Sequence, residues 1–183
     1  MHIPGLVIKR GILMLTKEEF QQKIQEGVRI LDGATGSNLR AAGMPKDCCT
    51  EQWVLENPEP LVALQRAYAA AGSQIIYANT FGANARKLAP TGHGAEEVVT
   101  QAVRIARKAA EGTETLVAVD MGPLGELLEP MGSLSFEEAY NLFREVAMAG
   151  ARAGADLAVI ETMTDLYEAR AALLAVKENT DLP

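Results

Sequence analysis

The chain has 183 residues, 48% of them hydrophobic and 22% charged, with a net charge of −7 and a pI of about 4.9. That length supports one domain with a real core. The acidic balance, with aromatic residues at only 5%, argues against nucleic acid or an anionic membrane as the main partner. No apolar run approaches the ~20 residues of a membrane span. The two cysteines, Cys48 and Cys49, are sequence neighbours with nothing else to pair with, so no disulfide framework exists and a reducing cytoplasm fits.

Residues 1–15 read as an N-terminal extension, with Met14 as an alternative start, and residues 16–183 as the domain. Its Lys9-Arg10 pair follows an apolar patch, the wrong order for a signal peptide. Thr16-Lys17-Glu18-Glu19 is a capping box that opens a helix with Phe20 and Ile24 on one face, closing near Gly27. The apolar run Val28–Leu31 reads as a strand stopping at Asp32, followed by the loop Gly33-Ala34-Thr35-Gly36. Residues 39–59 read as irregular, and Pro60 starts a helix with Leu61, Leu64 and Tyr68 on one side.

Ile75–Ala78 is the next strand, ending in Asn79-Thr80, with Gly82, Asn84 and Arg86 in a solvated loop. A helix over 95–111 carries Val98, Ala102, Ile105 and Ala109 at helical spacing. Leu116–Val119 then ends in Asp120, before a Gly122-Pro123-Leu124-Gly125 turn. Ser135-Phe136-Glu137-Glu138 is a second capping box, for a helix with Leu142, Phe143 and Val146 inward. Leu157–Ile160 ends in Glu161-Thr162, and Asp165 caps the last helix.

The order is β-α four times. The polar positions that end the strands, Asp32, Asn79, Asp120 and Glu161, lie 47, 41 and 41 residues apart, the length of successive βα units. Continuous apolar strands alternating with helices mean a parallel sheet, and polar groups at every strand end mean one face presents the chemistry. A carboxylate after Leu-Ala-Val-Ile is partly desolvated, so Glu161 reads as a ligand for a cation. Asp32 reads the same way, with the glycine loop offering N–H groups to an anion, so together they fit a small zwitterion. Asp120 fits either a ligand or the turn that follows, and Thr162 fits a cap before the last helix.

With these residues placed, the chain resembles the homocysteine S-methyltransferase family, most of all the N-terminal homocysteine-binding domains of cobalamin-dependent methionine synthases. The segments that carry the likeness are Leu31-Asp32-Gly33-Ala34-Thr35-Gly36, Asn79-Thr80-Phe81-Gly82-Ala83-Asn84 with Lys87-Leu88, Gly122-Pro123-Leu124-Gly125, and Glu161-Thr162. The resemblance implies a (β/α)8 TIM barrel, of which four units make a truncated half-barrel, because a full barrel takes roughly 250 residues. It further implies methyl transfer to a homocysteine thiolate held on zinc, with cobalamin and methyltetrahydrofolate in the parent enzyme. Asp32, Gly33, Ala34, Thr35, Asn79 and Glu161 would surround the amino-acid end of homocysteine.

The family's zinc ligands are cysteines from the second half of the barrel, so neither a metal ligand nor a catalytic residue is assigned in this chain. Cys48-Cys49, in the loop after the first strand, reads as ordinary loop thiols, since a zinc site takes three or four protein ligands. Ala78 departs from the hydroxyl residue common in the family. The expectation is therefore a methyltransferase domain inactive alone, pairing with a second-half chain or with another copy. Two alternatives stand beside it. One is a non-catalytic half-barrel module that needs a partner chain. The other is a phosphate-binding α/β domain, disfavoured because no lysine follows the glycines.

Overall fold

The computed structural model describes residues 15–183 and two short strands before them, β1 (Ile8–Lys9) and β2 (Ile12–Leu13), paired antiparallel. The rest of the N-terminal extension, including the alternative start at Met14, lies outside the described residues. Helix α1 (Lys17–Glu26) begins as the capping box requires. The Glu19 amide donates to Thr16 Oγ1 at 3.1 Å and the Thr16 amide to Glu19 Oε2 at 2.8 Å. Of its expected apolar face only Phe20 docks, against strand residues Ile75, Ala118 and Leu157; Ile24 is exposed.

The expected first strand is a correction. Leu31 makes a single parallel bridge to Ile75, flanked by hydrogen bonds from Gln74 N–H to Ile30 O (2.8 Å) and from Asp32 N–H to Ile75 O (3.0 Å). The segment runs as an extended edge with one neighbour, and Val28 is 90% exposed. Residues 39–59 are also more regular than expected. Helix α2 (Gly36–Ala41) and helix α3 (Thr50–Glu56) lie there, and α4 (Pro58–Ala70) starts two residues early. Proline tolerates the first helical turn because its missing N–H has no intrahelical partner there. Leu39, Met44, Val54 and Leu61 bury together and hold α2, α3 and α4 as a unit.

The sheet follows chain order: β3 (Ile75–Ala78), β4 (Leu116–Met121) and β5 (Leu157–Ile160), all parallel. Ala78 pairs with Val119, and Met121 with Ile160. Between the strands come α5 (Ala85–Leu88), α6 (Ala95–Ala110) and α7 (Phe136–Ala153), with α8 (Leu166–Asn179) after β5. Strand residues alternate between faces. Ile76, Ala78, Val117, Val119 and Met121 join the main core with α6, α7 and α8, whereas Ile75, Tyr77, Ala118, Leu157 and Val159 line the other face. Alanines such as Ala102, Ala106, Ala147, Ala172 and Ala175 keep the helix-side core thin, so the helices sit close to the sheet.

Beneath the strand ends, Asp156 is buried yet satisfied. It accepts from Val117 N–H at 2.7 Å and pairs with Arg107 at 2.6 Å, tying α6 to the start of β5. After α8 the chain returns to the sheet, where Ala158 N–H donates to Pro183 O at 3.0 Å. Among the described residues no helix is long and apolar enough to cross a membrane.

Candidate functional site

The C-terminal ends of the strands bring Asp32, Tyr77, Asn79, Asp120 and Glu161 together. Asp32 Oδ2 accepts the Tyr77 amide at 3.1 Å, which anchors the edge segment to β3. Asp120 stands on the middle strand, 6% exposed, and its amide and carbonyl are both engaged by the Thr80 hydroxyl at 2.9 and 2.8 Å. Glu161 follows β5, where its amide donates to Met121 O at 3.2 Å. Next to it, Thr162 adopts φ 59°, a left-handed conformation unusual for a residue with a β-branch.

Three buried polar atoms here have no hydrogen-bond partner among the described residues: Asp32 Oδ1, Asn79 Nδ2 and Asp120 Oδ1. Buried polar groups are normally satisfied, so orphans at one end of a sheet single it out as the candidate site. The electrostatics agree. Burial raises the Asp32 carboxyl to about 6, with the Glu161 charge adding to the effect of desolvation. Burial raises Asp120 to about 8, reinforced by Glu161, Asp32 and Glu51. Tyr77 is pushed upward by burial and then by Glu161, Asp120 and Asp32. Among the described residues, the charged groups that raise these three side chains are all carboxylates.

A pH dependence follows from these shifts. Asp32 and Asp120 hold protons more tightly folded than unfolded, where an aspartate titrates near ~3.9. Their folding advantage is complete below that value and is lost as pH rises through about 6 for Asp32 and about 8 for Asp120. Urea midpoints of the ligand-free chain are expected to fall between about pH 4 and pH 8, and Asp120→Asn to flatten the fall. A midpoint that rises across that window would contradict the assignment.

The glycine loop presents donors on the same rim. The Ala34 carbonyl accepts from Tyr68 Oη at 3.0 Å and Asn38 Nδ2 at 2.6 Å, while the amides of Gly33, Ala34 and Thr35 have no acceptor among the described residues. Gly33 sits against Tyr68, and a Cβ there would lie 2.9 Å from the Tyr68 oxygen.

The Gly122–Gly125 turn is not held by the Asp120 side chain. Glu168 of α8 accepts the Leu124 amide at 2.7 Å, and Lys87 of α5 donates to Pro123 O at 2.7 Å while lying 5.4 Å from the Phe81 ring centre. Phe81 in turn packs where a Cβ on Gly122 would meet its ring at 2.4 Å. The loops after β3 and β4 and helix α8 are thereby clamped together. Asn84 is buried and caps α5 by accepting the Lys87 amide at 3.1 Å, a correction to its expected place in a solvated loop. The other expected loop residue, Arg86, pairs with Glu126.

The positions of Glu168, Lys87, Glu51 and Tyr77 around the site are not announced by the sequence, although Lys87 is among the residues that carry the family likeness. Glu51 accepts the Gly82 amide at 2.7 Å from a helix 31 residues earlier, and no local pattern announces such a pairing.

Cys48 and Cys49 do not assemble a metal centre. Cys48 Sγ donates to Pro45 O at 3.2 Å, and Cys49 Sγ donates to Glu51 at 3.3 Å. Burial raises the Cys49 thiol, the opposite of what a thiolate ligand needs. Among the described residues no group of three or more His, Cys, Asp or Glu is arranged to hold a metal ion.

The sequence model of the homocysteine S-methyltransferase family matches residues 29–183. Methionine synthase of Mycobacterium tuberculosis is 28% identical over 164 residues, covering 82% of this chain and 14% of that protein. Methionine synthase of Mycobacterium leprae is 28% identical over 166 residues, covering 84% and 14%. This chain thus spans about one seventh of the length of these curated relatives. Among solved structures, the metallated form of the homocysteine methyltransferase MmuM from Escherichia coli superposes with a TM-score of 0.74 at 26% identity, covering 88% of this chain and 64% of that one. Its apo form gives 0.62 at 29% identity, covering 84% and 57%.

Proposed function

The chain belongs to the homocysteine S-methyltransferase family, and from that premise we propose that its strand-end site binds the amino-acid end of homocysteine. The observation that carries the reading is the set of unpartnered Asp32, Asn79 and Asp120 atoms in an acidic site. An α-ammonium group supplies three donors and a positive charge, which satisfies Glu161 and Asp32 at once. The α-carboxylate takes the free amides of Gly33, Ala34 and Thr35, and the Asn79 amide donates to it or orients it. Phosphate is disfavoured here, because the Glu161 and Asp32 carboxylates would repel it.

In this reading the four parallel units form half of a (β/α)8 barrel wall, and the chain provides the amino-acid part of a methyl transfer to sulfur. Gripping both charged ends of homocysteine fixes where its sulfur lies, which is the positioning such a displacement needs. Zinc and the methyl donor, cobalamin or methyltetrahydrofolate in a methionine-synthase-type enzyme, bind residues beyond these four units. In this reading a second-half barrel polypeptide or another copy supplies the rest of the wall.

Calorimetric titration tests the binding step. L-Homocysteine is expected to bind the chain measurably, while 4-mercaptobutyrate, which keeps the thiol and carboxylate but lacks the ammonium, binds at least ~30-fold more weakly. Equal affinities for the two would overturn the assignment of Asp32 and Glu161.

A further inference from the structure

Asp120 has a second role to explain. Its carboxyl is the most deeply buried of the site's three, on the central strand, with Oδ1 unpartnered. The titratable groups that act on it are Glu161 after β5, Asp32 on the edge segment, Tyr77 on β3 and Glu51 on α3. None is a cation. Helices α6 and α7 pack on the other face of β4. Asp32 Oδ1 is likewise orphaned, so no hydrogen bond through these two atoms relieves the pair. The Thr80 hydroxyl engages only the Asp120 main chain. Close carboxylates in a site without a cation cannot all be ionised, and the one with least access to water is the one that keeps its proton.

We propose that the α-ammonium group of the bound amino acid displaces a proton from the Asp120 carboxyl, so that ligand binding at the strand ends is coupled to proton release. The balance is simple. The O–H bond of Asp120 breaks, its electron pair stays on the carboxylate, the proton passes to the buffer, and the ammonium replaces it as hydrogen-bond donor and positive charge. The inference rests on the homocysteine reading above and adds to it a change of protonation state at a named atom. The upward displacement of Asp120 to about 8 supports the same picture, because the empty site then holds the proton at neutral pH.

The test is calorimetry of L-homocysteine binding to the whole chain at pH 7 in phosphate and in Tris. Tris takes up protons with the greater heat, so binding is expected to be more exothermic there, by the amount due to about 0.9 proton released per ligand. Asp120→Asn is expected to reduce that release to below about 0.2. Independently of any ligand, the infrared spectrum of the wild-type chain at pH 7 is expected to show a protonated-carboxyl carbonyl band that Asp120→Asn lacks. Binding with equal enthalpy in both buffers overturns the inference while leaving the homocysteine reading intact, as does absence of the band. Absence of binding in either buffer, with the band present, overturns the homocysteine reading and the coupling that rests on it.

Discussion

Glu161→Gln is expected to weaken homocysteine binding by at least about 30-fold and, at the same time, to make the ligand-free chain more resistant to urea. A desolvated charge pair that loses one partner costs about 2–5 kcal/mol, and about 2 kcal/mol is already a factor of ~30. The gain in stability comes from the same charge. With no ligand bound, the Glu161 charge adds to the upward shift of both Asp32 and Asp120, and at neutral pH it stands in unfavourable contact with the Asp32 carboxylate. A neutral amide of the same shape relieves that repulsion. Opposite signs for affinity and stability distinguish a ligand-binding carboxylate from a structural one, whose loss lowers stability without this gain. Affinity unchanged by Glu161→Gln would remove the residue from the site.

Gly150→Ala is expected to destabilise the chain by about 3 kcal/mol, measured from the shift in urea midpoint. Helix propensity alone points the other way, since replacing glycine by alanine inside a helix gains about 1 kcal/mol. Gly150 lies in α7, however, where a Cβ would meet Val119 Cγ2 at 2.0 Å. Val119 is fully buried on β4 and its β-branch leaves it few rotamers, so neither side can move away cheaply. The double variant Val119→Ala/Gly150→Ala removes the colliding methyl groups and is expected to be more stable than Gly150→Ala alone. If the single substitution is neutral, α7 does not approach β4 this closely.

Much of the architecture is legible because βα units advertise themselves. The apolar runs Ile75–Ala78, Leu116–Val119 and Leu157–Ile160 are buried or half-buried, and a polar residue follows each; Asp120 lies within β4, which runs on to Met121. Both capping boxes and the Asp165 cap are local devices and appear where the residues demand them. The edge segment is harder to read. Val28 and Ile30 look like strand residues, yet with one neighbour they stay exposed, and hydropathy does not encode how many neighbours a strand has. Helices α2 and α3 are too short to display a period, and their burial depends on Leu61 of another helix.

At the site, the polar residues that end the strands can be picked out one by one, but their mutual electrostatics cannot. Nothing local to Asp120 says that Glu161, 41 residues away, raises it, or that Tyr77 faces the same space. The clamp on the Gly122–Gly125 turn is similarly non-local, built from Lys87 and Glu168 on either side of it in sequence. Aromatic and charged residues inside helical patterns look like ordinary core and surface until the fold brings them together.

A crystal structure of the chain grown with L-homocysteine addresses the central claim most directly. The expected result is the amino nitrogen within hydrogen-bond distance of the Glu161 and Asp32 carboxylates, with the ligand carboxylate on the amides of Gly33–Thr35. Homocysteine seated elsewhere, with those carboxylates still facing one another unpaired, would contradict it.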